Sequence, residues 1–345
     1  MKRVTILYIT MARIPGERAH SIQIARMCSA LQAAGAEVFL ISPKRGDVLS
    51  RKATMVETIK FYGLRTQFLH FRAPVLGILG RSVIAEYFSW LLSILMLAVY
   101  GIIFYVILKF VLRKNAYIYI REPLVLILIG ILGMKTKSRI IYEFHQFPSY
   151  SIFSSKIFWS IIRQILLIVC IAESLAKLVR KQRNIHGKKI VVLHDAVDDH
   201  LFRIKVDEPS DLSLIKKKSR VIIYTGQLDS WKNPEFLIDM MQHIRKTDIS
   251  LVFVGGRQSD ILRLKRYAEA RGLSDKVFFL GLKPPTQIPR YAVSADVLIH
   301  YSPPVPSSPL KIFEYMLSGR PIVAPNAPGV NEVLTDGVNA LLFDP

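Results

Sequence analysis

The sequence predicts an α/β protein of two Rossmann-like parallel-sheet domains facing a cleft, and three observations predict it. Short apolar runs rich in β-branched residues alternate with helix-length stretches through the chain. A polar stretch, RIKVDEPSDLSLIKKKS at 203–219, interrupts the alternation, which then restarts with RVIIYTG at 220–226. Two successive βα series imply two parallel sheets with a cleft between them, so the expected divisions are a first domain at 1–202, a linker at 203–219 and a second domain at 220–345.

In the first domain VTILYIT (4–10) reads as a strand, a helix follows over about 19–34, Gly35 stops it, and EVFLISP (37–43) is the next strand. Lys2 and Arg3 precede the first apolar run, but that run is short and Arg13 soon follows, so it reads as a strand and not as a signal peptide. YIYI (117–120), RIIYEFH (139–145) and KIVVLHDAV (189–197) continue the strand series. The apolar stretches VLILIGIL (125–132) and IFWSIIRQILLIVCIA (157–172) read either as core helices or as part of a membrane-facing surface.

Between these strands runs YFSWLLSILMLAVYGIIFYVILKFVL (87–112), whose residues 87–108 carry no charge. That is enough to cross a bilayer, which takes about 20 apolar residues. A crossing here would put VTILYIT and EVFLISP on one side of the bilayer and YIYI and RIIYEFH on the other, dividing one sheet. The expectation is therefore a peripheral or monotopic segment lying in the cytoplasmic membrane interface rather than a single span.

In the second domain RVIIYTG, ISLVFVGG (249–256), KVFFLG (276–281), DVLIHYS (296–302) and PIVAP (321–325) read as strands, with helices after Asn233, up to Arg271, and over about 309–318. For that last helix Ser308 is the expected cap and Gly319 the left-handed stop. At about 100° per residue, Leu310, Ile312, Phe313, Met316 and Leu317 fall on one side and Lys311, Glu314, Tyr315 and Ser318 on the other. NAPGVNEV (326–333) reads as the start of a further helix.

Hydrophobic residues make up 51% of the chain, which excludes a disordered protein. The net charge of +21 is uneven: residues 1–180 hold 24 Lys and Arg against 8 Asp and Glu, and residues 181–345 hold 23 against 18. Joined to the apolar segment, the basic first half points to an anionic membrane surface. Nucleic acid is not expected as a partner, because basic and aromatic residues do not interleave outside that segment. Cys28 and Cys170 sit among apolar neighbours, as buried free thiols do in a reducing compartment. G-x-G-x-x-G after the first strand, the P-loop, H-E-x-x-H, cysteine clusters and Asp-x-Asp are all absent. No cofactor and no essential metal is expected, so a phosphorylated ligand must be neutralised by side chains.

GQLDSWKNPEFLI (226–238), FVGG (253–256), FFLGL (278–282) and above all SPLKIFEYMLSGRPIVAPNAPGVNEVLTDGVNALLFDP (308–345) resemble the nucleotide-sugar domain of family 4 glycosyltransferases. IPGERAHSIQIARMCSALQAAGAEVFLI (14–41), IYEFHQFPS (141–149) and LHDAVDDHLF (193–202) resemble that family's N-terminal half. The resemblance implies a GT-B fold and a retaining transfer from a nucleotide-diphosphate sugar. It places Lys232 at the donor pyrophosphate, Glu314 at the ribose hydroxyls, and Lys311 as further positive charge near the phosphates. Gly255, Gly256 and the backbone at Leu282 and Lys283 would line the base pocket, and Gln227 lies beside the phosphate-binding Gly226. Glu332 reaches the sugar or caps a following helix.

In the first domain Gly16 would let amides at the first helix approach phosphate or acceptor, with His20 and Ser21 near that helix's start. His145 would touch the transferred sugar or the acceptor hydroxyl, and Glu143 would orient it. His145 and Lys232 are thus the expected catalytic pair.

Two residues depart from the family pattern. Gln227 stands where the family often has arginine, and Pro306 stands where it has the first of two glutamates spaced by seven. The chain also reaches Pro345 before the family's usual closing helix, so the second domain is expected to be incomplete. The resulting expectation is a metal-independent glycosyltransferase at the cytoplasmic membrane face, acting on a lipid-linked or envelope-polysaccharide acceptor. The alternatives are a noncatalytic partner subunit of the same fold and a nucleotide-sugar epimerase.

Overall fold

A computed structural model describes residues 3–44, 53–74, 83–111, 114–132, 134–145, 156–182, 185, 187–203, 207–246, 248–301 and 309–344. The chain divides into two compact units, Met1–His194 and Asp195–Pro345.

The first unit runs β1 (Val4–Ile9), α1 (Ala19–Ala33), β2 (Glu37–Pro43), α2 (Met55–Tyr62), β3 (Leu69–Ala73), α3 (Val83–Val106), β4 (Asn115–Ile120), α4 (Pro123–Leu132), β5 (Ile140–Phe144), α5 (Lys156–Ile162), β6 (Leu167–Cys170), α6 (Glu173–Arg180) and β7 (Ile190–Val192). Its sheet has the order β3-β2-β1-β4-β5-β6-β7, with every pair parallel. The order reverses between β1 and β4, and the crevice at the carboxyl ends of those two strands is where such sheets bind ligands. Local chemistry agrees with the elements. Thr54 and Glu57 form a reciprocal capping box at the start of α2, and Gly63 ends that helix in the left-handed conformation.

The apolar segment resolves into α3, continued by a wider turn through Val111, and it is the crossover between β3 and β4. Its inner side, Ile94, Leu97, Ala98 and Tyr105, is buried in the core cluster with Leu7 and Ile9 of β1. Gly101 makes that packing possible: a β-carbon there would lie 2.4 Å from Ile9 Cδ1. The outer side, Leu91, Leu95, Val99, Ile103, Val106, Ile107 and Phe110, stays exposed. The strands on either side of the segment, β1 and β4, pair directly over Val4–Ile9 and Asn115–Ile120.

Two sequence expectations in this unit need correction, and one strand was not expected at all. IFWSIIRQILLIVCIA is not one helix: it contains α5, a break, and strand β6, since an unbroken apolar run carries no mark of where helix yields to strand. β3, LHFRA, alternates too weakly to be read as a strand, yet it pairs with β2 along its length. The strand expected at 189–197 is only β7, Ile190–Val192. Cys28 and Cys170 are buried free thiols.

The second unit runs α7 (His200–Arg203), α8 (Ser210–Lys216), β8 (Arg220–Thr225), α9 (Glu235–His243), β9 (Ile249–Val254), α10 (Gln258–Glu269), β10 (Val277–Phe279), α11 (Ile288–Ser294), β11 (Val297–Ile299), α12 (Leu310–Ser318), β12 (Ile322–Pro325) and β13 (Leu341–Phe343). Its sheet order is β10-β9-β8-β11-β12-β13, again all parallel, with the reversal between β8 and β11. The segment expected as linker contains α8, whose Leu212 and Ile215 enter the core beneath β8.

α12 ends at Gly319 as expected, with φ +67°, but its faces differ from the apolar pattern. Ile312, Glu314 and Tyr315 are buried, whereas Met316 and Leu317 are 42% exposed. Tertiary placement overrides amphipathicity here, because Tyr315 accepts the Thr225 amide at 2.9 Å and so turns the polar side of the helix onto the ends of the strands. The expected cap Ser308 lies outside the described residues. NAPGVNEV forms turns and not a helix, and the chain passes from them to β13.

Candidate functional site

In the second unit the carboxyl ends of β8, β9 and β11 and the first turn of α12 converge. β8 leads into Gly226, which has φ +128° and donates its amide to Val254 O at 2.9 Å. Gly255 has φ +130°, and its amide donates to Gly281 O at 2.8 Å. A β-carbon on Gly255 would lie 2.2 Å from Gly226 O, and one on Gly256 would lie 2.6 Å from Leu228 Cδ1. The close approach that these two glycines permit is therefore to the chain's own loops.

Lys311 reaches over that crossing. Its ammonium sits 3.7 Å from the centroid of the Tyr224 ring, and a β-carbon on Gly226 would lie 3.1 Å from it. Burial first, and then the charge of Lys232, press the Lys311 pKa well below the usual lysine value, while Glu314, buried one turn along α12, pulls the other way. Lys232 lies in a single turn, Ser230–Lys232, closed by Asn233 at φ +50°; it pairs with Asp229 at 3.4 Å and lies over the Trp231 ring. Gln227 holds its side-chain oxygen buried with no hydrogen-bond partner among the described residues. Two ammonium groups thus gather at the end of β8, and the ion pair there, Lys232 with Asp229, leaves Lys311 against a ring. Such an arrangement favours an anion.

The other expected donor residues sit differently. Leu282 is 41% exposed, and the Lys283 ammonium is held by Asp211 of α8 at 2.8 Å beside Tyr291. Glu332 lies in the turns between β12 and β13 and is part-buried. Pro306 lies outside the described residues.

In the first unit a buried carboxylate organises the crevice at β1 and β4. Glu143, 1% exposed on β5, accepts hydrogen bonds from Gln23 Nε2 at 3.2 Å, from the Tyr119 hydroxyl and from His145 Nε2. Arg121 donates to Gln23 Oε1 at 2.7 Å, and Tyr119 stacks on Tyr8 at 4.8 Å between centroids. Burial opposes ionisation of Glu143 most strongly, but the bonds from His145 and Tyr119 and the charge of Arg121 outweigh it and hold the carboxyl at about 2. The ionised carboxylate can only accept, so His145 presents Nε2–H to it and keeps Nδ1 as an acceptor. Burial and Arg121 lower the His145 pKa despite Glu143, and burial, Arg121, Arg18 and His145 lower His20 to about 4. Both imidazoles are neutral bases near pH 7.

His20 is the second residue of α1 and Ser21, the third, is buried. The Gly16 amide is already engaged, donating to the Tyr62 hydroxyl, which donates back to Gly16 O at 2.9 Å; a β-carbon there would meet Arg13 O at 2.5 Å. The structure thus brings His20, Glu143 and His145 together, while Gly16 serves the turn before α1.

Sequence reasoning missed Gln23, Tyr119, Arg121 and Glu122 here, and Tyr224, His300 and Tyr315 in the second unit. Glu122 accepts from Thr10 Oγ1 at 2.6 Å and from the Met11 amide at 2.9 Å, which ties the ends of β1 and β4 together. The one available signal was position: Arg121 and Glu122 directly follow the apolar strand YIYI, as His300 directly follows VLI. Among the described residues no three His, Cys, Asp or Glu side chains gather as a metal site.

Residues 207–345 match the family described as Glycosyl transferases group 1. The spore coat protein SA of Bacillus subtilis (strain 168) is 26% identical over 148 residues, 41% of this chain and 39% of that protein, so the match spans about two fifths of the relative's length. Among solved structures, Anabaena Alr3699/HepE in complex with UDP and glucose superposes with a TM-score of 0.70 at 18% identity, over 100% of this chain and 86% of that one. A glycosyltransferase from Rickettsia africae ESF-5 gives 0.69 at 18% identity, over 99% and 84%. The fold is that of GT-B glycosyltransferases.

Proposed function

We propose that this chain is a retaining glycosyltransferase that moves a sugar from a nucleotide-diphosphate-sugar donor to a lipid-linked or envelope-polysaccharide acceptor at the cytoplasmic membrane face. The observation that carries the reading is the convergence of Lys232 and Lys311 on the end of β8. In glycosyl transfer negative charge develops on the departing diphosphate, and preorganised cations that meet it are worth several kcal/mol in a dry site. Lys232, which can exchange Asp229 for phosphate, and Lys311 supply that charge without an essential metal. Glu314 takes the ribose hydroxyls. His145, fixed by Glu143 with a free Nδ1, contacts the transferred sugar or accepts the proton of the incoming hydroxyl.

Membrane placement draws support from α3 and the wider turn that continues it. Their outward stripe, Leu91, Leu95, Val99, Ile103 and Phe110, is exposed, and so are Ile131 and Leu132 of α4, which packs against α3. An apolar face on a basic unit fits an anionic bilayer surface while the other face of the helix serves the sheet. Gln227, neutral and with its side-chain oxygen unpartnered among the described residues, favours a second reading, a noncatalytic subunit that keeps the donor pocket.

The test is nucleotide release from UDP-, GDP- and ADP-sugars by the purified protein with membrane lipids and EDTA. Acceptor-dependent release that survives EDTA is expected, with Lys311→Met reducing donor affinity by roughly 10- to 100-fold, the worth of one charged hydrogen bond. Donor binding without release from any lipid extract would favour the noncatalytic subunit, and an altered free sugar as product would indicate an epimerase.

A further inference from the structure

His300 is the residue in the second unit that the donor-site reading leaves unused. It follows β11 directly, is 3% exposed, and is fixed through its backbone amide to Val323 O at 2.8 Å. β11 pairs with β8 through Val297 with Ile222 and Leu298 with Ile223, so the same register carried on sets His300 beside Thr225, where Tyr315 anchors α12. Its Nδ1 is buried with no hydrogen-bond partner among the described residues. A buried polar nitrogen without a partner is costly, so its persistence at a strand's carboxyl end calls for a ligand.

The groups around it are basic. Lys311 from α12 and Lys232 from the turn after β8 both act on the ring, which burial and those two charges keep neutral, its pKa well below 6.5. Of the acids, Glu314 offsets Lys311 and Asp229 pairs with Lys232; Tyr224 and Tyr315, both buried, are neutral hydroxyls, since burial raises their pKa values.

We propose that His300 is the third basic group of this anion pocket and takes up a proton when the diphosphate of a nucleotide sugar binds. The inference rests on the donor-site reading and deepens it. In the empty pocket a third positive charge is repelled by two lysines. A diphosphate reverses the sign of the local field, so the proton that was unfavourable becomes favourable, and protonated Nδ1 donates to a phosphate oxygen. The proton comes from the buffer and no covalent bond changes. Because the complex then holds more protons than the free protein, donor affinity falls as pH rises through the window between the free and bound pKa values of His300. Gln227, with its own unpartnered oxygen, adds no charge, so the pocket's total charge is set by pH.

The experiment is isothermal titration calorimetry of the whole chain with UDP-, ADP- and GDP-glucose, whose diester phosphates do not titrate from pH 5.5 to 7.5. It is run in buffers of different ionisation enthalpy, on wild type, His300→Leu, His300→Gln and Lys311→Met. Wild type is expected to take up between half and one proton per donor and to lose about 10- to 100-fold in affinity from pH 5.5 to 7.5, whereas both His300 variants take up none and bind with flat pH dependence. Wild-type binding without uptake overturns the proposal, and that arm needs no variant to fold. Uptake that persists in both His300 variants also overturns it and assigns the proton to Lys311. Failure of wild type to bind any of the three donors, or binding unchanged by Lys311→Met, overturns the donor-site reading itself and this inference with it.

Discussion

Replacing Gly255 by alanine tests whether the end of β8 is built backbone on backbone. The added methyl would sit 2.2 Å from Gly226 O, 2.8 Å from Gly226 C and 3.2 Å from Gly226 N, all main-chain atoms that no rotamer change can move. The residue also has φ +130°, which L side chains rarely adopt. A left-handed backbone costs about 1–2 kcal/mol and forced overpacking about 1–3 more, so the variant loses roughly 2–5 kcal/mol. At about 2–4 °C per kcal/mol for a unit of this size, the second unit's melting midpoint falls by roughly 10 °C. Gly281→Ala is the control. It has φ +71°, but nothing lies within 4 Å of its added carbon, so only the conformational penalty applies and the drop is about 4 °C. Calorimetric melting of both variants, read on the transition of the second unit, decides the matter. Donor affinity should also fall in Gly255→Ala, since Gly226 must move and Lys311 lies against it. Equal midpoints in the two variants would refute the contact argument.

Two further outcomes follow from the first unit. Glu143 has a depressed folded pKa, so it contributes stability that is present above the ordinary carboxylate value of 4.5 and lost as pH falls toward about 2; Glu143→Gln should unfold with a flatter acid limb by circular dichroism, and an unchanged limb would show that the carboxylate is not held by His145 and Tyr119. On α3, Leu97→Ala, inside, should cost about 2–5 kcal/mol in urea unfolding, whereas Val99→Ser, 41% exposed, should cost about 0.5 kcal/mol or less yet weaken cosedimentation with anionic vesicles; equal vesicle binding in the two would argue against the outward stripe as a membrane face.

Much of the fold was legible. RVIIYTG, ISLVFVGG and PIVAP carry β-branched runs bounded by Gly or Pro, and burial on both faces of a parallel sheet makes such runs apolar throughout. β6 escaped because LIVC sits inside a longer apolar run, and β3 because His70 and Arg72 interrupt its pattern while β2 supplies the pairing. By length and composition alone the apolar segment is enough to cross a membrane. Its role as the crossover onto β1 depended on Gly101, whose missing side chain matters only beside Ile9.

The sequence by itself determined two βα series, two parallel sheets and the identity of Lys232, Lys311, Glu143 and His145 as polar residues at strand and helix ends, because hydrophobic period and turn residues are local properties. Tertiary structure alone decided that Lys311 lies over Tyr224, that Glu143 joins Gln23, Tyr119 and His145, and that His300 Nδ1 is buried with no hydrogen-bond partner among the described residues. Those facts depend on which strand ends lie side by side, β4 with β5 and β8 with β11. That adjacency is fixed by crossovers between residues tens of positions apart, and the electrostatic environment of a buried group is set by such neighbours and not by the residues next to it in the chain.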